Sequence, residues 1–226
     1  MGYLIKMKLL LVLVGLMFAT SAYSQEDSVF IDSRFSWMNK VHGIPDSLLN
    51  VFRDGEDTLE FVVEYSVEDS LKYFEGSYFE NRKEGWWVKY HKDGRTPKLI
   101  GKYHNNRPEG IYFKVYPSGT VKESGTFHKG KYCGELKKYY ESGCLKYSGQ
   151  YNKDGLEVDT IRYYFDCDSV NCCEKGQIEF MFIANEGKPS GTSYRYYPNG
   201  NIMWQIDYDS YGVSKNEEFF EDEVNE

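Results

Sequence analysis

Residues 101–119 read GKYHNNRPEGIYFKVYPSG, and the chain repeats this pattern on both sides of that stretch. The preceding copy is EGSYFENRKEGWWVKYHKDG at 75–94, and the following copy is SGTFHKGKYCGELKKYYESG at 124–143. A recurrence at a fixed period of this length indicates a repeat architecture. The glycines fall in three columns, which are Gly76, Gly101, Gly125 and Gly149; Gly85, Gly110 and Gly134; and Gly94, Gly119 and Gly143.

Each copy contains two runs rich in β-branched and aromatic residues, which are typical of β-strands. The runs are separated by turn dipeptides such as Asp93-Gly94 and Ser118-Gly119, in which glycine takes a positive φ without steric cost. One copy is therefore predicted to be one β-hairpin. The predicted fold is all-β, an elongated single-layer antiparallel sheet that advances ~9.6 Å with each hairpin.

Apart from residues 1–24, three further segments flank or interrupt the regular copies. The array is predicted to span 58–208, with an irregular cysteine-containing unit at 155–190. Residues 25–57 lack the repeat, and they are predicted to cap an open edge of the sheet with a short helix that begins near Pro45. Residues 209–226 are predicted to be an acidic tail.

Residues 1–24 have the features of a secretory signal. Lys6 and Lys8 precede the apolar run 9–18, and Ala22-Tyr23-Ser24 fits a cleavage site. A membrane anchor is the alternative, but the run is about half of the ~20 residues that a bilayer span requires. We therefore expect an exported protein that is periplasmic, attached to the cell surface or secreted.

The charge balance excludes some partners. Loss of Lys6 and Lys8 with the signal takes the formal net charge from −8 to −10, which argues against nucleic acid. We expect the partner to be a protein or a component of the cell envelope, with possible peripheral contact to a membrane or a glycan. No cofactor is expected.

Alternation along the second strand of each copy separates two faces of the sheet. The face formed by the second, fourth and sixth positions after the middle glycine carries a row of cations, and we call it the lysine face. Its cations either present ammonium groups to an anionic surface or only solvate an exposed face, and its rings could stack against sugars. The candidate binding residues are Trp87, Lys89, Tyr112, Lys114, Tyr116, Lys138, Tyr140, Arg195 and Tyr197, and a second row on the partner strands is Lys98, Lys122 and Lys146.

These motifs resemble the MORN repeat (membrane occupation and recognition nexus), and in particular its bacterial variant, which is often described as an antitoxin component. The resemblance covers about 70–152 and 176–208. It implies a non-enzymatic scaffold or interaction module, sometimes associated with lipid, or an antitoxin-like protein, and it carries over no catalytic residues. The residues that match are Gly101, Tyr103, Gly110, Tyr112, Tyr116, Gly119, Gly125, Phe127, Gly134, Tyr139 and Gly143.

Four of the five cysteines are expected near one edge of the sheet, and the fifth, Cys133, near the opposite edge. Exported proteins favour disulfides. The pattern favours pairing of Cys144 and Cys167 each with one of Cys172 and Cys173, with Cys133 free. A zinc site is the alternative.

We find no catalytic constellation in the sequence and no metal site beyond that alternative. His104 and His128 occupy one repeat position, so they are expected ~10 Å apart, too far to share a zinc ion. A hydrolase hidden in the irregular unit is a remote third reading. The chain is therefore predicted to be a non-enzyme.

Overall fold

The computed structural model describes residues 41–43, 60–167 and 176–222. Across these ranges fourteen β-strands form one open antiparallel sheet of consecutive hairpins, which confirms the predicted fold class. Among the residues described there is no helix that could span a membrane. The predicted signal at 1–24, the predicted cap helix, and Cys172 and Cys173 lie outside the described residues.

The strands follow one another in the sheet in chain order, except that the short strand β7 pairs beside β6. Their bounds are β1 Glu60–Tyr65, β2 Lys72–Phe79, β3 Arg82–Tyr90, β4 Pro97–His104, β5 Arg107–Val115, β6 Val121–His128, β7 Lys131–Tyr132, β8 Gly134–Tyr139, β9 Leu145–Tyr151, β10 Glu157–Tyr164, β11 Ile178–Asn185, β12 Lys188–Tyr196, β13 Ile202–Tyr208 and β14 Ser214–Phe219.

Two kinds of turn join the strands, one kind at each end of the strands, and we name the two corresponding edges of the sheet after them. The turns that join β3 to β4, β5 to β6 and β8 to β9 contain the third glycine column, and we call this the long-turn edge. At the opposite edge, the short-turn edge, β4 and β5 are joined by Asn105 and Asn106, with φ of 51° and 65°. Two successive residues at positive φ define the type I′ turn, whose twist suits a hairpin.

The first glycine column makes room for large side chains of the neighbouring strands. Gly76 pairs with Trp87 across β2 and β3, and a Cβ at Gly76 would clash with Cδ2 of the indole ring. Gly125 pairs with Tyr112 across β5 and β6, where a Cβ would lie 3.1 Å from the phenol ring. These close approaches of ring to backbone explain the glycines at these two positions of the column.

The sheet buries apolar side chains on both faces. On the lysine face the cluster includes Tyr112, Leu136 and Ile161. The cluster of the opposite face includes Ile100 and Phe113, and its further buried members are Val41, Val88, Tyr90, Val115 and Val121.

The described part of the predicted cap meets the sheet at its middle. His42 forms a parallel bridge with Thr120, and the His42 amide donates to the Gly119 carbonyl at 3.0 Å. Val41 packs in the apolar cluster beside them. These residues therefore lie at the β5–β6 turn rather than along the first strand, where an edge cap was expected.

The sheet extends beyond residue 208. Asp209 accepts hydrogen bonds from the amides of Tyr211 and Val213, each at 2.9 Å, and Gly212 takes a φ of 79°. This turn returns the chain as β14, so the start of the predicted acidic tail is the last strand of the array.

Candidate functional site

Two of the candidate rings on the lysine face are buried. Trp87 and Tyr112 are 3% and 2% exposed. The Trp87 indole donates to the Ser77 carbonyl at 3.0 Å, and the Tyr112 hydroxyl donates to Glu123 at 2.6 Å. Burial, followed by the bond to Glu123, raises the pKa of Tyr112 well above its usual value. Both rings belong to the core, so no ligand stacks on them.

The three turn tyrosines join successive units at the long-turn edge. Each hydroxyl donates to the carbonyl that ends a strand of the next unit. The distances are 3.0 Å from Tyr116 to Tyr139, 2.8 Å from Tyr140 to Tyr164 and 3.0 Å from Tyr197 to Phe220. At the equivalent position His91 bonds the Val115 carbonyl at 2.9 Å. These side chains are inter-repeat staples.

The cations of the first lysine row differ in their partners. Lys114 forms an ion pair with Glu123 at 2.7 Å. Burial alone would lower the pKa of Lys114, but the hydrogen bond and charge of Glu123, together with Tyr132, raise it. Arg195 pairs with Glu179 at 2.8 Å. Lys89 and Lys138 form no ion pair with a described residue. Their ammonium groups lie 5.0 Å and 4.9 Å from the ring centroids of Tyr73 and Tyr147 respectively.

The second lysine row lies against the turn tyrosines. Lys122 and Lys146 are exposed, and their ammonium groups sit 5.2 Å and 4.9 Å from the ring centroids of Tyr116 and Tyr140. Each is the extra residue where the register shifts by one. Such cation–π contacts leave the positive charge unneutralised.

Sequence reasoning missed a half-buried cation beside these rows. Lys83 places its ammonium group 4.1 Å from the Trp87 ring centroid and within 5.5 Å of those of Phe74 and Tyr103. Burial lowers the pKa of Lys83. Lys83 precedes the middle glycine, and the residue pattern there does not indicate on which face its side chain lies. A β-bulge between β2 and β3 turns it onto the lysine face, and that bulge is seen only in the register of the two strands.

The short-turn edge carries a repeated carboxylate–histidine pair. Glu84 accepts from His104 at 2.9 Å and from the Asn105 amide at 3.0 Å. Glu109 does the same with His128 at 2.8 Å and the Lys129 amide at 2.7 Å. The bond to Glu84 raises the pKa of His104. These histidines hold neighbouring turns together, and their side chains are 72% and 44% exposed.

The cysteine pairing differs from the expected one. Cys144 is bonded to Cys167, with their Cα atoms 6.1 Å apart, whereas the sequence favoured bonds from each to Cys172 or Cys173. The reason is strand pairing, because Tyr147 opposite Tyr163 brings the ends of β9 and β10 together at the long-turn edge. Cys133 is free, as expected.

The chemistry available at this disulfide is limited. Asp166 lies with Cys144 and Cys167 in the one described group of three potential metal ligands. Its carboxylate accepts from the Ser142 hydroxyl at 2.7 Å. Two of the three ligands are oxidised, and a disulfide does not supply the thiolates that zinc requires.

A second set of aromatic side chains lies on the lysine face of the later strands. The ring centroids are 6.0 Å apart for Tyr163 and Phe180, 6.3 Å for Phe180 and Trp204, and 6.1 Å for Trp204 and Phe219. Phe219 is 72% exposed. The sequence analysis did not single out these four rings, which we call the late aromatic ladder, because they fall outside the regular copies.

Comparisons with known proteins add no family. No model of a known protein family matches the chain, and no curated protein matches it. Solved structures match weakly. One is the GtfA/B complex bound to UDP and GlcNAc, with 10% identity, a TM-score of 0.28 and coverage of 61% of this chain and 24% of that one.

Another is a mutant of S. aureus TarM in complex with Fondaparinux, alpha-GlcNAc-glycerol and UDP, with 12% identity, a TM-score of 0.24 and coverage of 75% of this chain and 26% of that one. The chain thus spans about a quarter of the length of each.

Proposed function

We propose that this protein is an exported, non-enzymatic scaffold of MORN-like hairpins, and that its lysine face binds another protein. The proposal rests on the different roles of the side chains on that face. The rings and glycines build the sheet, whereas Lys89, Lys138, Lys122 and Lys146 form no ion pair with any described residue. Of these four cations, Lys122 and Lys146 are exposed and Lys89 and Lys138 half-buried, and cations in repeated positions suit a contact surface.

The other chemistry-bearing side chains support a role without catalysis. His104 and His128 are held by Glu84 and Glu109 in inter-turn pairs. The disulfide Cys144–Cys167 is compatible with an oxidising, exported environment and fixes two neighbouring strand ends.

The test is a crosslinking pull-down of the tagged mature protein from the envelope fraction of its own cells, read by mass spectrometry. The wild type is expected to recover one protein in stoichiometric amount, and Lys89→Glu with Lys138→Glu to lose it. The matched control reverses Lys92 and Lys129, which are exposed and lie in turns at the two edges. Equal recovery by both variants would contradict binding through the lysine face.

A glycan-binding module is the second candidate function, and the late aromatic ladder favours it. Its rings lie at roughly even spacing, and Phe219 at its end is largely exposed. This candidate expects retention on purified peptidoglycan or polysaccharide that Phe219→Ala weakens. Retention that does not change in Phe219→Ala, or no retention at any salt concentration, would exclude the ladder as a glycan site.

A further inference from the structure

The acidic protein contains a strongly basic middle. Residues 81–151 hold 15 Lys and Arg against 6 Asp and Glu, a net charge of +9. By contrast, residues 152–226 hold 6 against 16, a net charge of −10. The basic stretch coincides with strands β3 to β9, the regular hairpins that carry both lysine rows.

The acids within this stretch are already engaged with other side chains. Glu123 lies between Lys114 and Lys138 in the register of β5, β6 and β8. It is buried and accepts from Tyr112 and Lys114. Glu84 and Glu109 bond histidines at the short-turn edge, away from the lysine rows. In the first row, Glu123 therefore neutralises Lys114, whereas Lys89 and Lys138 form no ion pair with a described residue.

The spacing of the first row restricts the ligand that could match it. Lys89, Lys114 and Lys138 lie on β3, β5 and β8, which are alternate strands of the sheet, so successive lysines are ~9.6 Å apart. An extended β-strand repeats its side chains on one side every ~6.6 Å and falls out of step. A polyproline II helix returns every third side chain after ~9.3 Å, which matches.

We propose that the lysine face binds an acidic polypeptide segment in the polyproline II conformation, with a carboxylate at every third residue. The segment runs across the strands, and its outer carboxylates pair with Lys89 and Lys138. Its middle carboxylate shares Lys114, whose side chain is 40% exposed, with Glu123. The ring of Tyr73 beside Lys89, which is 45% exposed, supplies the kind of surface on which proline-rich segments dock. This inference rests on the proposed function and names its partner.

The sheet geometry also sets the length of the segment. Neighbouring strands rotate by ~20–25°, so alternate lysines point in directions ~45° apart. The flexible four-carbon stem of lysine follows this rotation over three units. A segment of about seven residues fills the row at ~3.1 Å per residue, and a longer segment gains nothing.

The experiment compares two synthetic peptides of one composition by fluorescence anisotropy at physiological salt. The first is (Glu-Pro-Pro)₄; the second has the same four glutamates in a block followed by the prolines. The mature protein is expected to bind the periodic peptide at least tenfold more tightly than the block peptide. Equal affinities would overturn the proposal, because charge alone would then explain binding.

Protein variants provide the second arm. Lys89→Glu with Lys138→Glu is expected to weaken the periodic peptide at least tenfold, while Lys92→Glu with Lys129→Glu, which makes the same change in net charge, leaves it within twofold. Both pairs leave the buried Lys114–Glu123 pair intact, and circular dichroism checks that each variant is folded. Equal losses in the two variants would contradict docking on the first row.

Other anionic ligands complete the test. Vesicles of phosphatidylcholine and phosphatidylglycerol, and polyglucuronate, are expected to bind more weakly than the periodic peptide. Stronger binding of either would replace the polypeptide with a membrane or an acidic polysaccharide. If the pull-down recovers a protein but the periodic peptide does not bind, the scaffold function stands and this inference fails.

Discussion

Alanine at Gly76 and at Gly101 tests whether rings or backbone conformation require the first glycine column. The two glycines occupy one repeat position, yet their surroundings differ. At Gly76 an added Cβ would lie 2.6 Å from Cε2 and 2.7 Å from Cγ of Trp87. At Gly101 the nearest atom would be the Cβ of Tyr112 at 3.4 Å, an ordinary contact.

The difference arises because each large ring covers a glycine of one neighbouring strand. The Trp87 ring lies over Gly76 on the preceding strand, and the Tyr112 ring lies over Gly125 on the following strand. Gly101 lies on the strand between those of Trp87 and Tyr112, and neither of these two rings lies over it. Trp87 has little freedom to move away, because its indole bonds Ser77 at 3.0 Å.

These contacts fix the expected magnitudes. Gly76→Ala overpacks a pinned ring, and such insertions cost ~1–3 kcal/mol. Gly101→Ala removes backbone freedom of the unfolded chain and meets no clash, so it is expected to stabilise by ~0.5–1 kcal/mol. The free energies of unfolding of the two variants should thus differ by about 2 kcal/mol or more, a difference in midpoint temperature of ~4–8 °C.

Urea unfolding of the two variants, followed by far-ultraviolet circular dichroism, measures the difference. Repeat arrays can unfold in parts, so hydrogen exchange of the β2 and β3 amides should accompany it. A Trp87→Leu background is expected to relieve most of the cost of Gly76→Ala, as coupling of touching residues requires. Equal destabilisation at Gly76 and Gly101 would refute ring cover as the reason for the column.

Three further predictions concern contacts between neighbouring units: a tyrosine staple, a carboxylate–histidine pair and the disulfide. Tyr116→Phe is expected to destabilise by ~0.5–1.5 kcal/mol in urea unfolding, because it leaves a turn carbonyl unbonded. The pKa of His104, followed by NMR titration, should exceed 6.5 and return toward that value in Glu84→Gln. Because the pKa is raised in the folded protein, the His104–Glu84 pair stabilises the fold fully below pH 6.5. That contribution is lost as the pH rises through the folded pKa. Peptide mapping under non-reducing conditions should link Cys144 to Cys167, and reduction should cost about 3 kcal/mol for a loop of this length.

The repeat pattern was enough to predict the fold. Glycine columns mark turns and close approaches, and two-residue alternation assigns faces, so hairpins and the position of the lysine rows follow from spacing. The first strand of the irregular unit expected at 155–190 is β10 at Glu157–Tyr164. The edges of Cys133 and Cys144 were also predicted, because successive turns alternate between edges.

The sequence could not predict how deeply each side chain is buried. Trp87 and Lys89 stand two positions apart on one face, yet the ring is buried and the cation half-exposed, because only the ring lies over a glycine. The partner of Cys144 depended on which strand ends meet. The late aromatic ladder was missed because its rings come from strands that do not share the regular period.

This difference in depth decides which substitutions can report on function. Alanine at Trp87 or Tyr112 is the obvious test of an aromatic binding face, but truncating a buried ring of this size costs ~3–5 kcal/mol. Such variants would lose any ligand because the sheet loses its core, whether or not the ring touches that ligand. Lys89 lies against the exposed ring of Tyr73, Lys138 lies over the buried ring of Tyr147, and neither lysine bonds a described acid, so their reversal removes no ring from the core. Loss of binding in those variants, with unchanged unfolding, is therefore the result that assigns a contact to the lysine face.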